Sequence, residues 1–170
     1  MILNATDAQR FIRWYSLLLL EVLGTASRDV EGGLVPTLVQ GRAKLMKEPS
    51  LLEEVKTKLA ARFADVDFEV FEAVETLKVG KWVYLRDTKL HSIFVDQGTD
   101  RAFGVVGLTD RIRDLLGGSG VYLETGLVRY RGRFVCDGLI VRSVWLGPNY
   151  KKSFNERYLE LKAAGRFYVK

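Results

Sequence analysis

The amino-acid sequence predicts an α+β fold, with N-terminal helices packed on or beside a C-terminal antiparallel β-sheet and a late helix near the end of the chain. Two observations carry this. Apolar residues recur at helical spacing through residues 1–80 and switch after Gly80 to the two-residue alternation of strands. The second half also holds Gln97-Gly98-Thr99-Asp100 and Arg131-Gly132, short Gly-bearing segments of the length that joins hairpin strands. No Pro/Ser-rich spacer separates the helical region 1–80 from the sheet region 81–170, so one compact unit is expected, with two loosely joined subdomains as the alternative. At 170 residues with 48% hydrophobic and 28% charged side chains, the chain has enough apolar bulk for a core.

Thr6 and Gln9 fit a capping box that opens the first helix. Phe11, Tyr15, Leu18 and Val22 form its stripe, and Leu17 to Leu20 widen that stripe almost around the helix, as for an element buried on several sides or lying at a subunit contact. Gly32-Gly33 breaks the chain, Pro36 suits the first turn of a second helix, and Pro49 ends it. Ser50 and Glu53 form a second capping box for a third helix, whose stripe is Leu52, Val55, Leu59 and Phe63. From Asp65 to Leu77 the pattern fits strand or helix; length favours a helix closed by Gly80.

Trp82 and Tyr84 then alternate with Val83 and Leu85. His91 to Asp96 and Arg101 to Val106 read as one hairpin, and Val121 to Tyr130 with Arg133 to Cys136 as another. Between them Thr109 and Asp110 suit the cap of a short helix that Gly117-Gly118 stops. A further strand runs from Leu139 to Leu146. Pro148 and Asn149 precede a final helix, about Tyr150 to Ala164, with Phe154, Tyr158, Leu161 and Ala164 on its apolar side. Phe167-Tyr168-Val169 returns as an edge strand.

Several function classes fall away. His91 and Cys136 are the sole residues of their types, which excludes an intramolecular disulfide and a structural zinc site. The most apolar stretch, Phe11 to Leu23, is short of the roughly 20 residues needed to cross a bilayer, and the N-terminus lacks the pattern of a signal peptide. The expected location is cytoplasmic, with no membrane partner. Gly117-Gly118-Ser119-Gly120 follows a helix and precedes a strand, the reverse of a phosphate-binding loop, and reads as a connector. No cofactor is called for.

The strongest nonrandom feature is charge asymmetry. Residues 126–170 hold ten Lys+Arg against three Asp+Glu, whereas residues 1–125 carry a net charge of −2. Arg129, Arg131, Arg133, Lys151 and Lys152 stand among Tyr130, Phe134, Trp145, Tyr150, Phe154, Tyr158, Phe167 and Tyr168. Cations pair with phosphates and aromatic faces stack on unpaired bases, so this mixture suits nucleic acid or another polyanion. The three arginines share parity along the hairpin and are expected on one side unless the turn changes it. Against this stands the usual fate of such residues: strand aromatics in the core and helix cations in solvent.

The acid–base candidates are weaker. Asp137-Gly138 suits a turn better than a catalytic carboxylate; with Glu160-x-Lys162 it would supply a metal-dependent nuclease set, but those two point apart on a helix. His91, Asp87 and Asp96 offer a titrating imidazole near carboxylates without a nucleophile to activate. Cys136 reads as a small buried hydrophobe.

The segments YLRDTKLHSIFVD (84–96), FGVVGLTDRI (103–112) and LETGLVRYRGRFVCDGLIV (123–141) resemble a domain of uncharacterised bacterial proteins, over residues 82–147. The resemblance implies no activity and transfers no functional residue. Members of that group sometimes carry a cysteine-rich metal-binding motif, which this sequence lacks, and residues 1–80 lie outside the likeness. The leading expectation is a non-enzymatic module that binds nucleic acid or another polyanion through its basic C-terminal part. The alternatives are a homodimeric interaction domain built on the first helix, and a small hydrolase with a cleft near Asp137.

Overall fold

The apolar stripes of the N-terminal part become four helices: α1 (Ala5–Leu23), α2 (Leu34–Lys47), α3 (Leu51–Arg62) and α4 (Phe68–Glu75). The computed structural model describes residues 1–24 and 33–170, so the break expected at Gly32 lies outside the described residues. Residues Ala5–Thr76 form one unit, and Met1–Asn4 with Leu77–Lys170 form a second.

In the helical unit, α2, α3 and α4 all pack on α1, burying Phe11, Trp14, Tyr15, Leu18, Leu19 and Val22. That explains the width of the α1 stripe without a second copy of the chain. Both proposed capping boxes are corrected. α1 begins at Ala5, so Thr6 stands inside the first turn. Ser50 does flank α3, but its backbone is already helical (φ −61°, ψ −22°) and its side chain makes no cap hydrogen bond. The N–H groups of Leu51 and Leu52 instead reach the carbonyls of Glu48 and Pro49, both at 3.1 Å. The preceding turn has satisfied donors that a serine cap would have served. Gly80 does not close α4. The helix stops at Thr76, whose hydroxyl donates to the Ala73 carbonyl at 2.7 Å, and Gly80 lies in the following strand.

The second unit contains β1 (Lys78–Asp87), β2 (Ser92–Asp96), β3 (Ala102–Val106), α5 (Ile112–Leu116), β4 (Val121–Tyr130), β5 (Arg133–Cys136), β6 (Arg142–Trp145), α6 (Pro148–Ala163) and β7 (Phe167–Tyr168). Both expected hairpins form: β2 pairs antiparallel with β3, and β4 with β5. The turn at Arg131 (φ 52°) and Gly132 (φ 67°) takes two left-handed residues, the twist that matches hairpin strands. The short helix is flanked by Arg111 and not capped by Thr109 or Asp110; the Thr109 hydroxyl donates to the Asp110 carboxylate instead. α6 starts at Pro148, so this proline occupies the first turn, where its missing N–H costs nothing.

The sheet is mixed where an antiparallel one was expected, because β3 runs parallel to both β5 and β7. α5 and β4 lie between β3 and β5 in the chain, supplying the long connection a parallel pair requires. Long β1 pairs β2 along one edge and β4 along the other. The order β1-β2-β3-β5-β4 therefore returns to β1 and closes a five-strand barrel. Inside lie Trp82, Tyr84, Phe94, Phe103, Val105, Val121, Leu123, Leu127 and Cys136, with Ile112 of α5 among them. Outside, Val83, Leu85, Ile93, Val95 and Ala102 are buried with Tyr158 and Leu161 of α6. Both parities of β1 are covered, which is why its sequence is apolar throughout the middle.

Candidate nucleic-acid interface

Alternation along β3 puts Phe103 and Val105 in the barrel and Ala102, Gly104 and Val106 outside. The Ala102 end of that outer face is buried with α6 residues. The other end opens into a cleft of about 600 Å³, bounded by Lys89, Leu90 and His91 of the β1–β2 loop, by Arg131, Gly132 and Arg133 of the β4–β5 turn, and by Val169 and Lys170. Among the described residues four cationic side chains line it and no carboxylate side chain does. Gly104 is needed here for space: a Cβ would lie 2.8 Å from the His91 ring and 2.9 Å from Val169 Cγ1. The imidazole packs against Phe167, with ring centroids 5.3 Å apart, and Phe167 in turn meets Tyr158 edge-on, also at 5.3 Å. Burial, and then the charge of Lys162, hold His91 below the usual imidazole range.

The structure separates the five basic candidates. Arg131 and Arg133 line the cleft. Arg129 does not share their side, because the two-residue turn reverses parity: Arg129 pairs with Phe134, while Arg133 pairs with Tyr130. The guanidinium of Arg129 stands over the Phe134 ring at 5.9 Å, on the parity that continues the barrel interior. Lys151 and Lys152 lie on α6, and Lys151 is committed to packing. Its Nζ is 5.8 Å from the Trp145 ring, and its stem occupies the space beside Gly120. Trp145 also lies over Gly118, where a Cβ would be 2.5 Å from the indole, so the glycine-rich connector is a bed for these two side chains. Sequence reasoning missed Lys89 and Lys170 as neighbours of the arginines. Their only sequence signal is a cation at the end of a strand, which many surface residues share.

The interleaved aromatics divide as well. Tyr130 and Tyr158 are buried, Phe134, Phe154 and Phe167 are half-buried, and Trp145, Tyr150 and Tyr168 are exposed. Two of the eight are thus core residues, and three present an aromatic face to solvent.

Each of the three carboxylate candidates is held in its own hydrogen-bond cluster. Asp137 is 4% exposed, and its Oδ1 accepts hydrogen bonds from Thr125 Oγ1 (3.0 Å), Gly126 N (3.2 Å) and Leu139 N (3.0 Å). A Cβ on Gly126 would stand 2.3 Å from its Oδ2. This carboxylate staples the end of β5 to β4. Cys136, also buried, has its Sγ 3.5 Å from the Thr125 hydroxyl. Asp87 accepts from Tyr84 Oη at 2.8 Å and Ser92 Oγ at 2.6 Å; burial, then this bond, push the Tyr84 phenol well above its ordinary range. Asp96 accepts from Lys78 Nζ at 2.5 Å, Thr99 Oγ1 at 2.7 Å and Gly98 N at 2.8 Å. His91 faces the cleft, whereas Asp87, Asp96 and Asp137 are not among its lining.

A closed ring of order 1-2-3-5-4, with a helix between the third and fourth strands, is the connectivity of the five-stranded Greek-key barrels that hold oligonucleotides or oligosaccharides. Those barrels use the face of strands two and three and the loops joining strands one to two and four to five. The cleft lies on β3 between the corresponding two loops. No protein-family model, curated protein or solved structure matches the chain. Among the described residues no helix is long and apolar enough to cross a membrane.

Proposed function

We propose that the barrel unit is a non-enzymatic module that binds nucleic acid at this cleft, with Lys89, Arg131, Arg133 and Lys170 as phosphate partners and the His91 ring as an apolar flank. The observation that carries the reading is the convergence of four cationic side chains from three separate segments on one recess with no carboxylate side chain lining it among the described residues. Such a concentration of one sign of charge raises the local concentration of a polyanion. The fold adds support and does not by itself assign a function. Arg129, Lys151 and Lys152 leave the direct contact set.

The test is binding of labelled single-stranded RNA, single-stranded DNA and duplex DNA over a range of salt concentrations. Affinity should fall linearly on a log–log plot, with each phosphate contact on a single strand contributing about 0.7 to the slope. Arg131→Asn suits the left-handed backbone there while removing the charge. Together with Arg133→Gln and Lys89→Gln it should weaken binding to different sequences alike. Unchanged affinity in that triple variant sinks the assignment.

A further inference from the structure

We infer that the cleft receives the phosphate-bearing end of a single strand, not its middle. This rests on the nucleic-acid reading above and specifies its ligand. A strand that crosses a barrel of this kind needs the outer face of strands two and three to be open along its width. Here that face is closed. Ile93 and Val95 of β2 and Ala102 of β3 are each 2% exposed or less, in one cluster with Tyr158 and Leu161 of α6. β7 adds a second obstruction. It pairs in parallel with β3 at Ala102 and Phe103, beyond the stretch of β3 that pairs with β5. Its Phe167 lies between Tyr158 and the His91 ring, so an aromatic wall runs from α6 to the floor of the cleft.

What is left is a recess closed at one end. Its volume of about 600 Å³ falls within the roughly 300–1,000 Å³ of small-molecule sites. Tracking grooves on such barrels take about 4–16 nucleotides. The cations, on the β1–β2 loop, the β4–β5 turn and Lys170, are all exposed, while the half-buried His91 ring lies over Gly104 with Val169 beside it. A terminal nucleotide fits this division: its base meets the His91 ring, and its phosphates, including the extra charge of a terminal monoester, meet Lys89, Arg131, Arg133 and Lys170. An internal nucleotide would have to continue through Phe167 and α6.

The decisive experiment varies the ligand, so that folding of a variant is not at issue. Fluorescence anisotropy is measured with the full chain and a 20-nucleotide single strand in four forms: 5′-phosphorylated, 3′-phosphorylated, hydroxyl-ended, and covalently closed into a circle. Four-nucleotide versions of the linear forms complete the set. One phosphorylated form is expected to bind at least tenfold tighter than the circle, and the form that does so identifies the end. Its four-nucleotide version should bind within about threefold of the long one, both with a salt slope near −3, as four contacts on a single strand require. A circle that binds as tightly as the linear strands, or affinity that climbs steadily with length, overturns end recognition while leaving nucleic-acid binding in place. If no form binds at low salt, both readings fall together.

Discussion

The two units of this chain solve the same packing problem with opposite chemistry. Residues 5–76 carry nine Lys+Arg against twelve Asp+Glu, a net charge of −3, whereas residues 1–4 and 77–170 carry seventeen against nine, a net charge of +8. The acidic unit is built from stripes of apolar residues on helices gathered around α1; its pairs Lys58–Glu54 and Arg13–Asp65 are on the surface, while Arg42 is buried within it. The basic unit adds polar joints to its apolar core: the buried Asp137 with Thr125, Gly126 and Leu139, and the part-buried cluster of Asp96 with Lys78, Thr99 and Gly98. A closed barrel brings distant strands together and needs such joints where strands end or change partner. Helices satisfy their backbone internally. The difference teaches where each unit is fragile.

The largest expected effects expose that contrast. In the basic unit, Asp137→Ala leaves the Thr125 hydroxyl and the Gly126 and Leu139 amides without this acceptor. At about 1–3 kcal/mol for each buried unsatisfied group, a loss on the order of 3 kcal/mol or more in urea unfolding is expected. Asp137→Asn keeps an oxygen at the same place and should recover much of it, whereas an apolar replacement of similar size should not. In the acidic unit Leu18→Ala removes volume, at a cost of about 2–5 kcal/mol, and Leu18→Met should restore most of it. If Asp137→Ala costs less than 1 kcal/mol, the buried joint is not what holds β5 to β4.

Next in size is the binding contrast. Replacing Lys89, Arg131 and Arg133 by neutral residues should lower the salt slope by roughly 2, from three lost single-strand contacts. Neutralising Lys56 and Arg62 of the acidic unit should leave it unchanged. Equal effects from both sets would mean that the protein responds to net charge alone and that the cleft has no special part.

Periodicity made much of this legible. The α3 stripe at Leu52, Val55 and Leu59, the Arg131-Gly132 turn and the return of Phe167-Tyr168 as an edge strand all stand where the sequence places them. These features depend on neighbours within a few residues. The pairings of β1 with β4 and β3 with β5, which turn the sheet into a barrel, join segments far apart and leave no periodic mark. The same holds for the site. Arg131 and Arg133 are readable as a basic turn, but their meeting with Lys89 depends on barrel closure. Parity does not carry from Arg129 to Arg133, because the count runs through a two-residue turn. Tyr158 and Phe167 look alike in sequence whether they stack on bases or, as here, pack beside the outer face of the barrel.

A smaller effect is the acid response of the basic unit. Burial alone would push Asp96 up, but hydrogen bonds from Lys78, Thr99 and Gly98, with the charge of Lys78, outweigh it and hold the carboxyl below its ordinary range. A folded-state value below the unfolded one contributes stability that is fully present above about pH 4, the unfolded value, and is lost as pH falls through the folded one. Asp96→Asn should therefore flatten the pH dependence of stability below pH 4 and destabilise the protein near neutrality. The lowered His91 value acts at higher pH with the same sign: its contribution is complete above the ordinary value of about 6.5 and declines as pH falls below it. A stability profile that rises on acidification from pH 7 to 5 in the wild-type chain, and not in His91→Phe, contradicts this assignment.

The smallest effect separates two helix starts within the acidic unit. Ser50 and Asp67 both precede helices and both belong to residue types that favour the cap position. Only Asp67 uses its side chain there, accepting the Glu69 N–H at 3.2 Å from an extended backbone. Ser50 is already helical, and backbone carbonyls from Glu48 and Pro49 serve the donors behind it. Asp67→Ala should therefore cost about 1 kcal/mol, within the usual range for a lost cap. Ser50→Ala should change stability by less than about 0.3 kcal/mol, since it removes no bond and places a better helix former in a helical conformation. Two residues that a sequence pattern treats alike are thus set apart by backbone angles. A Ser50→Ala loss as large as that of Asp67→Ala would show that the serine side chain caps α3 in solution, and that the Glu48 and Pro49 carbonyls do not suffice for its first turn.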